Sequence, residues 1–103
     1  MLPIILDVSS LKVGVIGNGL QAVKRLDMLR DADVREIVIF SPDPGDEMNA
    51  AAGNLVKLHL PSAEDISSFD IIFIANLEAE EAEKLARQAR EQGVLVNVED
   101  VKP

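Results

Sequence analysis

The sequence predicts an α/β fold, a single doubly wound domain over residues 1–103 with a parallel sheet of about five strands. Short β-rich apolar runs recur along the chain with helical patterns between them, the alternation expected of parallel strands joined by crossover helices. The apolar residues are mostly Val, Ile, Leu and Ala, with three Phe and no Trp or Tyr, the composition of strands covered on both faces. The run Gly17-Asn18-Gly19-Leu20-Gln21-Ala22 stands between a strand pattern and a helix pattern near the chain start, where doubly wound folds grip phosphate. A chain of 103 residues suits one small domain.

Pro3 to Leu6 (PIIL) reads as a short extended apolar segment. Lys12 to Gly17 (KVGVIG) and Glu36 to Phe40 (EIVIF) read as strands, and Val23, Leu26 and Leu29 follow helical spacing between them. Pro42 and Pro44 mark a loop, with a short helix over Asp46 to Ala52. Leu55 to Leu60 (LVKLHL) alternates, which predicts a strand with one more exposed face. Pro61 to Phe69 reads as a connection too short to establish a helix. Ile71 to Ala75 (IIFIA) is continuously apolar, so it belongs at the sheet centre.

Ala82, Leu85, Ala86 and Ala89 then recur at the spacing of one helix face. Asn76 is the expected N-cap of that helix, with Glu78, Glu80 and Glu81 near its positive end. Gly93 is the expected stop, and Val94 to Val98 (VLVNV) the last strand. Met28 and Met48 read as core filler.

The formal charge of −8, from ten Lys/Arg against eighteen Asp/Glu, repels nucleic acid and anionic membranes, so neither is an expected partner. No apolar run reaches the length of a membrane span, and no export signal is visible, so a cytoplasmic protein is expected. The absence of cysteine excludes a disulfide scaffold, a thiolate zinc site and a cysteine nucleophile. His59 stands alone in the alternating run and reads as structural. Asp65, Asp70, Glu78, Glu80, Glu81 and Glu83 read as a solvated acidic face, and no metal site is expected. Ser9-Ser10 and Ser67-Ser68 lack the context of a nucleophile elbow.

Each small residue of the glycine turn has a physical use. Gly17 permits a tight turn, Gly19 lets main-chain amides approach a pyrophosphate, and Ala22 lets the helix pack closely on the sheet. The helix N-terminus then offers free N–H groups to phosphate. The competing reading is a strand-to-helix corner that merely needs small residues. An acidic ribose ligand is expected near the end of the second strand, where Asp43 stands slightly late and reads also as a turn residue, while Ser41 offers a hydroxyl to the ribose. With no Arg there to receive a 2′-phosphate, NAD is favoured over NADP.

"LPIILDVSSLKVGVIGNGLQAVKRLDML" at the start and "GVLVNVED" at the end resemble the N-terminal Rossmann domain of siroheme synthases, the precorrin-2 dehydrogenase / sirohydrochlorin ferrochelatase proteins. The matching residues are Leu2, Pro3, Gly17, Gly19, Ala22, the basic pair Lys24-Arg25, and Asn97-Val98-Glu99-Asp100. The resemblance covers nearly the whole chain and about the first half of a family member.

It implies NAD-dependent oxidation of precorrin-2, a tetrapyrrole, to sirohydrochlorin. Gly17, Asn18, Gly19, Leu20 and Ala22 would form the pyrophosphate turn, and Ser41 and Asp43 would lie near the adenosine ribose. Ala75, Asn76 and Asn97 would border the nicotinamide, and Asp100 would be the catalytic acid/base. On its residues alone, Asp100 reads as a solvated carboxylate near a chain end, and the catalytic role comes from the resemblance. The chain departs from the family at Asn76, where Thr is common, at Val101, where a second Asp is common, and in "LRDADV", which lacks the Gly that usually ends the first helix. A polycarboxylate substrate calls for local cations in so acidic a chain. Lys24, Arg25 and Lys102 are the candidates, against a solvated helix face. A homodimer or partner subunit would complete the substrate site. The alternative is a non-catalytic dinucleotide-binding module.

Overall fold

A computed structural model describes residues 8–99. After a 3-10 turn at Val8–Ser10 the chain runs β1 (Lys12–Gly17), α1 (Gly19–Asp31), β2 (Glu36–Phe40) and α2 (Gly45–Ala52). It continues through a second 3-10 turn (Gly53–Leu55) into β3 (Val56–Lys57), α3 (Ala63–Ser67), β4 (Ile71–Ala75), α4 (Ala79–Glu91) and β5 (Leu95–Val98). All neighbouring strands pair in parallel, in the order β3-β2-β1-β4-β5. The chain therefore builds outward from β1 on one side, then returns to build outward on the other. The reversal falls between β1 and β4, the place where open α/β sheets bind ligands.

Alternation along the strands divides the core into two layers. Val13, Val15, Ile39 and Phe73 pack with Ala22, Leu26, Leu29 and Met48 of α1 and α2. On the opposite face Ile16, Phe40, Ile72 and Ile74 pack with Ile66 and Leu85 of α3 and α4. Burying each Leu or Ile in these layers is worth about 1.5–3 kcal/mol. β4 is buried at every residue, which follows from its unbroken apolar run. β5 is an edge strand, with Leu95 and Val98 exposed.

Four expectations are corrected. The alternating run Leu55 to Leu60 yields only the two-residue β3, because β2 offers it just Ile39 and Phe40 as partners. Leu58 and His59 are left exposed. The connection before β4 holds a short helix, α3, set by a capping box: the Ser62 hydroxyl accepts from the Asp65 N–H, and the Asp65 carboxylate accepts from the Ser62 N–H. That second bond is the main reason the Asp65 carboxyl titrates below its ordinary value. Met28 is exposed rather than core filler, whereas Met48 is fully buried. Asn76 does not cap α4. The cap position is Glu78, and Asn76 sits two residues earlier with φ +55°.

Both long helices end in the same way. In α4, Val94 N–H reaches the Ala89 carbonyl and Gly93 N–H the Arg90 carbonyl, with Gly93 at φ +72°. In α1, Val34 N–H reaches Leu29 and Asp33 N–H reaches Arg30, with Asp33 at φ +59°. Both are Schellman endings, in which the left-handed residue favours glycine. The glycine missing from "LRDADV" is thus replaced by an aspartate in a strained conformation. Asp33→Gly is expected to stabilise the fold by about 0.5–1 kcal/mol, since relief of the strain exceeds the entropy cost of glycine. A thermal melt should show a rise of about 2–8 °C.

Candidate functional site

The carboxyl ends of β1 and β4 meet at the reversal of strand order, with Gly17 registered on Ala75. Gly17 is not among the positive-φ residues, so its role is not the turn conformation expected for it. A Cβ at Gly17 would overlap the Ala75 carbonyl, lying 2.8 Å from its carbon. Glycine is required here because two central strands approach closely. Gly19 does need glycine's conformational freedom, at φ +67°. Its missing Cβ leaves room beside the Asn76 amide, which such an atom would approach to 3.3 Å.

Asn18 lies between these glycines and ties three strand ends together. Its main-chain N–H donates to the Ala75 carbonyl at 3.3 Å. Its carbonyl accepts from Asn76 Nδ2 at 3.0 Å. Its side-chain oxygen accepts from the Ser41 hydroxyl and from the Asp43 N–H, both at 2.9 Å. With its side chain committed to the loop after β2, Asn18 makes no side-chain cap on α1.

The first-turn N–H groups of α1 are therefore left without a side-chain acceptor, and no acidic residue stands in that turn. Among the described residues the other three helices each carry two acids in the first turn: Asp46 and Glu47, Glu64 and Asp65, Glu80 and Glu81. An anion at α1 thus meets a positive helix end with no neighbouring carboxylate in that turn. Ala22 is fully buried where α1 meets the sheet, and Leu20, in the first turn, is half exposed.

The other expected site residues divide. Ser41 is fully buried and gives its hydroxyl proton to Asn18, so it holds the loop rather than facing the cleft. Asp43 is exposed at the exit of β2, with its N–H fixed and its carboxylate open to solvent. The nearby cation Lys57 lies over the Phe40 ring, 5.9 Å from its centroid. Ala75 is buried and Asn76 exposed at the cleft. Asn97 is exposed on β5 but registers with Phe73, two residues below the Ala75 level, so it does not share the rim with Asn18 and Asn76. Asp100 and Lys102 lie outside the described residues, as do Leu2 and Pro3. Lys24 is exposed, while Arg25 is engaged in an ion pair with Glu99.

Two features escaped sequence reasoning. Asn18 was expected in the turn but not as a three-way tie; an amide side chain flanked by glycines was the available signal. Glu99 was not expected to matter, and nothing in its local pattern marks it.

A family model described as "Putative NAD(P)-binding" matches residues 4–103. The chain belongs to that family. The chain's cofactor class is accordingly a nicotinamide dinucleotide, as the sequence predicts. Among solved structures, 22 chains match. One of them is SirC, a precorrin-2 dehydrogenase, which superposes with a TM-score of 0.74 at 22% identity, covering 100% of this chain and 51% of that one. The chain thus spans about half the length of that relative, and at this identity the likeness is one of fold. The family match agrees with the dinucleotide-binding domain that the resemblance to siroheme synthases implies, and the structural match agrees with its fold. A search of curated proteins found no match. Among the described residues no helix is long and apolar enough to cross a membrane.

Proposed function

We propose that this chain binds NAD and oxidises precorrin-2 to sirohydrochlorin, with the substrate cleft completed by a second copy or a partner subunit. The observation that carries the reading is the free N-terminus of α1, uncapped and without acids, opening beside Gly17 and Gly19 at the reversal of strand order. Its first-turn amides hold the diphosphate. Asn18 fixes the position of the β2 exit, so that the Asp43 carboxylate meets the adenosine ribose hydroxyls and repels a 2′-phosphate. Asn76 stands at the β4 exit beside the nicotinamide end, with Asn97 lower on the neighbouring strand. Bound NAD supplies the hydride acceptor. Asp100 takes the proton released as the hydride leaves the substrate carbon, and Lys24 offers a cation to a substrate carboxylate. The fold's likeness to a precorrin-2 dehydrogenase supports this assignment.

A second reading, a dinucleotide-binding module without catalysis, is favoured by a family match whose description names NAD(P) binding alone. One set of measurements separates the two. Titration calorimetry and thermal melts are expected to show NAD binding and stabilisation, with NADP weaker by about tenfold or more because its extra phosphate meets Asp43. NADH absorbance is expected to rise on addition of precorrin-2, and to remain flat with Asp100→Ala. Binding without turnover would leave the module. No heat with either nucleotide would overturn both readings.

A further inference from the structure

Arg25 stands in the second turn of α1, the helix whose N-terminus faces the phosphates in the reading above. Along β5, Leu95 and Asn97 register with Ile71 and Phe73, two members of the core layer that α1 covers. Glu99, two residues further, continues on that face. There its carboxylate meets the Arg25 guanidinium. A second guanidinium nitrogen donates to the Met28 sulfur at 3.4 Å, which steadies the arginine. The Glu99 N–H donates to the Ile74 carbonyl at 2.9 Å. The end of β5 is therefore held twice, to β4 by its main chain and to α1 by its side chain.

The pair differs from the other ion pair among the described residues. Arg25 and Glu99 side chains are 23% and 32% exposed, against 62% and 75% for Arg87 and Glu83 one helical turn apart. An exposed pair at that helical spacing contributes little, whereas a shielded pair joining distant segments restrains them.

We propose that Arg25 is a positioning residue, which by holding Glu99 sets the strand end leading into Asp100 against the phosphate-binding helix. The proposal rests on the dinucleotide reading above. It also removes Arg25 from the cations open to substrate, because its charge is already matched. In that reading Asn18, within the glycine turn, and Asp43, at the β2 exit, serve the diphosphate and adenosine, with β4 standing between β1 and β5. Loss of the pair therefore leaves NAD affinity nearly unchanged and slows the step that depends on the β5 exit.

The test uses the full chain with Arg25→Ala, Glu99→Gln, both together, and the exchanged pair Arg25→Glu with Glu99→Arg. Amide hydrogen exchange at Glu99, whose N–H donates to the Ile74 carbonyl, is expected to accelerate about tenfold or more in both single variants, while amides within β4 keep their protection. With precorrin-2 and NAD, kcat is expected to fall about tenfold to a hundredfold, the range for a small misplacement at the reacting centre. KM and NAD affinity should stay within about twofold. The double variant should be no worse than either single one, as for two residues acting through one contact, and the exchanged pair should recover most of the rate. Unchanged amide exchange overturns the proposal. So does a rate loss in Arg25→Ala that Glu99→Gln does not share, because Arg25 would then act on substrate directly. A wild-type chain that binds NAD without turning over precorrin-2 overturns the dehydrogenase reading instead, and the exchange measurement still decides whether the pair holds the strand.

Discussion

Gly17→Ala is expected to cost about 3 kcal/mol or more, the upper range for overpacking a core. For a domain of this size that lowers the melting temperature by about 12–24 °C. The added methyl would overlap the Ala75 carbonyl, and neither side can yield cheaply. Both strands are central, with β1 flanked by β2 and β4, and the same carbonyl accepts the Asn18 N–H. Relief requires β1 and β4 to part at the rim where the diphosphate is proposed to sit, so NAD binding should be lost along with stability. Gly19→Ala is the control. Its Cβ would meet two side chains, the Asn76 amide at 3.3 Å and Gln21 Oε1 at 3.8 Å, and the main cost is the positive φ, about 1–2 kcal/mol. Thermal melts of both variants with NAD titrations decide the matter. A Gly17→Ala protein that melts within a few degrees of wild type would show that strand approach is not what demands glycine.

The strands that could be bounded by reading were those whose apolar runs end abruptly. KVGVIG, EIVIF and IIFIA emerge as β1, β2 and β4 at the expected residues, because burial on both faces leaves a continuous signal with polar ends. The edge elements were less legible. Whether LVKLHL pairs depends on how far β2 extends beside it, a property of the partner strand. The helix α3 depends on two reciprocal hydrogen bonds from Ser62 and Asp65, which give a five-residue segment no periodicity to read.

The site shows the same division. Glycine spacing marks where a phosphate would be received, since the small residues answer a steric demand. The roles of Ser41, Asn76 and Arg25 depend on which of several acceptors each donor finds once the strand ends meet. Ser41 finds Asn18 instead of facing a ribose, Asn76 finds the Asn18 carbonyl instead of capping α4, and Arg25 finds Glu99 instead of solvent. Those choices are set by topology, and local sequence carries no record of them.

Asn18→Asp should separate the structural role of the tie from its role toward the ligand. The carboxylate keeps the oxygen that accepts from Ser41 and Asp43, and it suits the start of a helix, where negative charge is favourable. Stability should therefore change by less than about 1 kcal/mol. The same charge sits where the diphosphate approaches the α1 amides, and repulsion at that range is worth about 1–4 kcal/mol at intermediate dielectric. NAD affinity is expected to fall about tenfold to a hundredfold, with the loss shrinking at high salt as screening grows. Asn18→Ala gives the opposite signature. It leaves the buried Ser41 hydroxyl without its acceptor, at a cost of about 1–3 kcal/mol, and any loss of affinity follows from a loosened β2 exit and does not depend on salt through this residue. Calorimetry at two ionic strengths, beside thermal melts, distinguishes them. If Asn18→Asp binds NAD as tightly as wild type at low salt, the diphosphate does not lie against the first turn of α1, and the free amides there serve the corner alone.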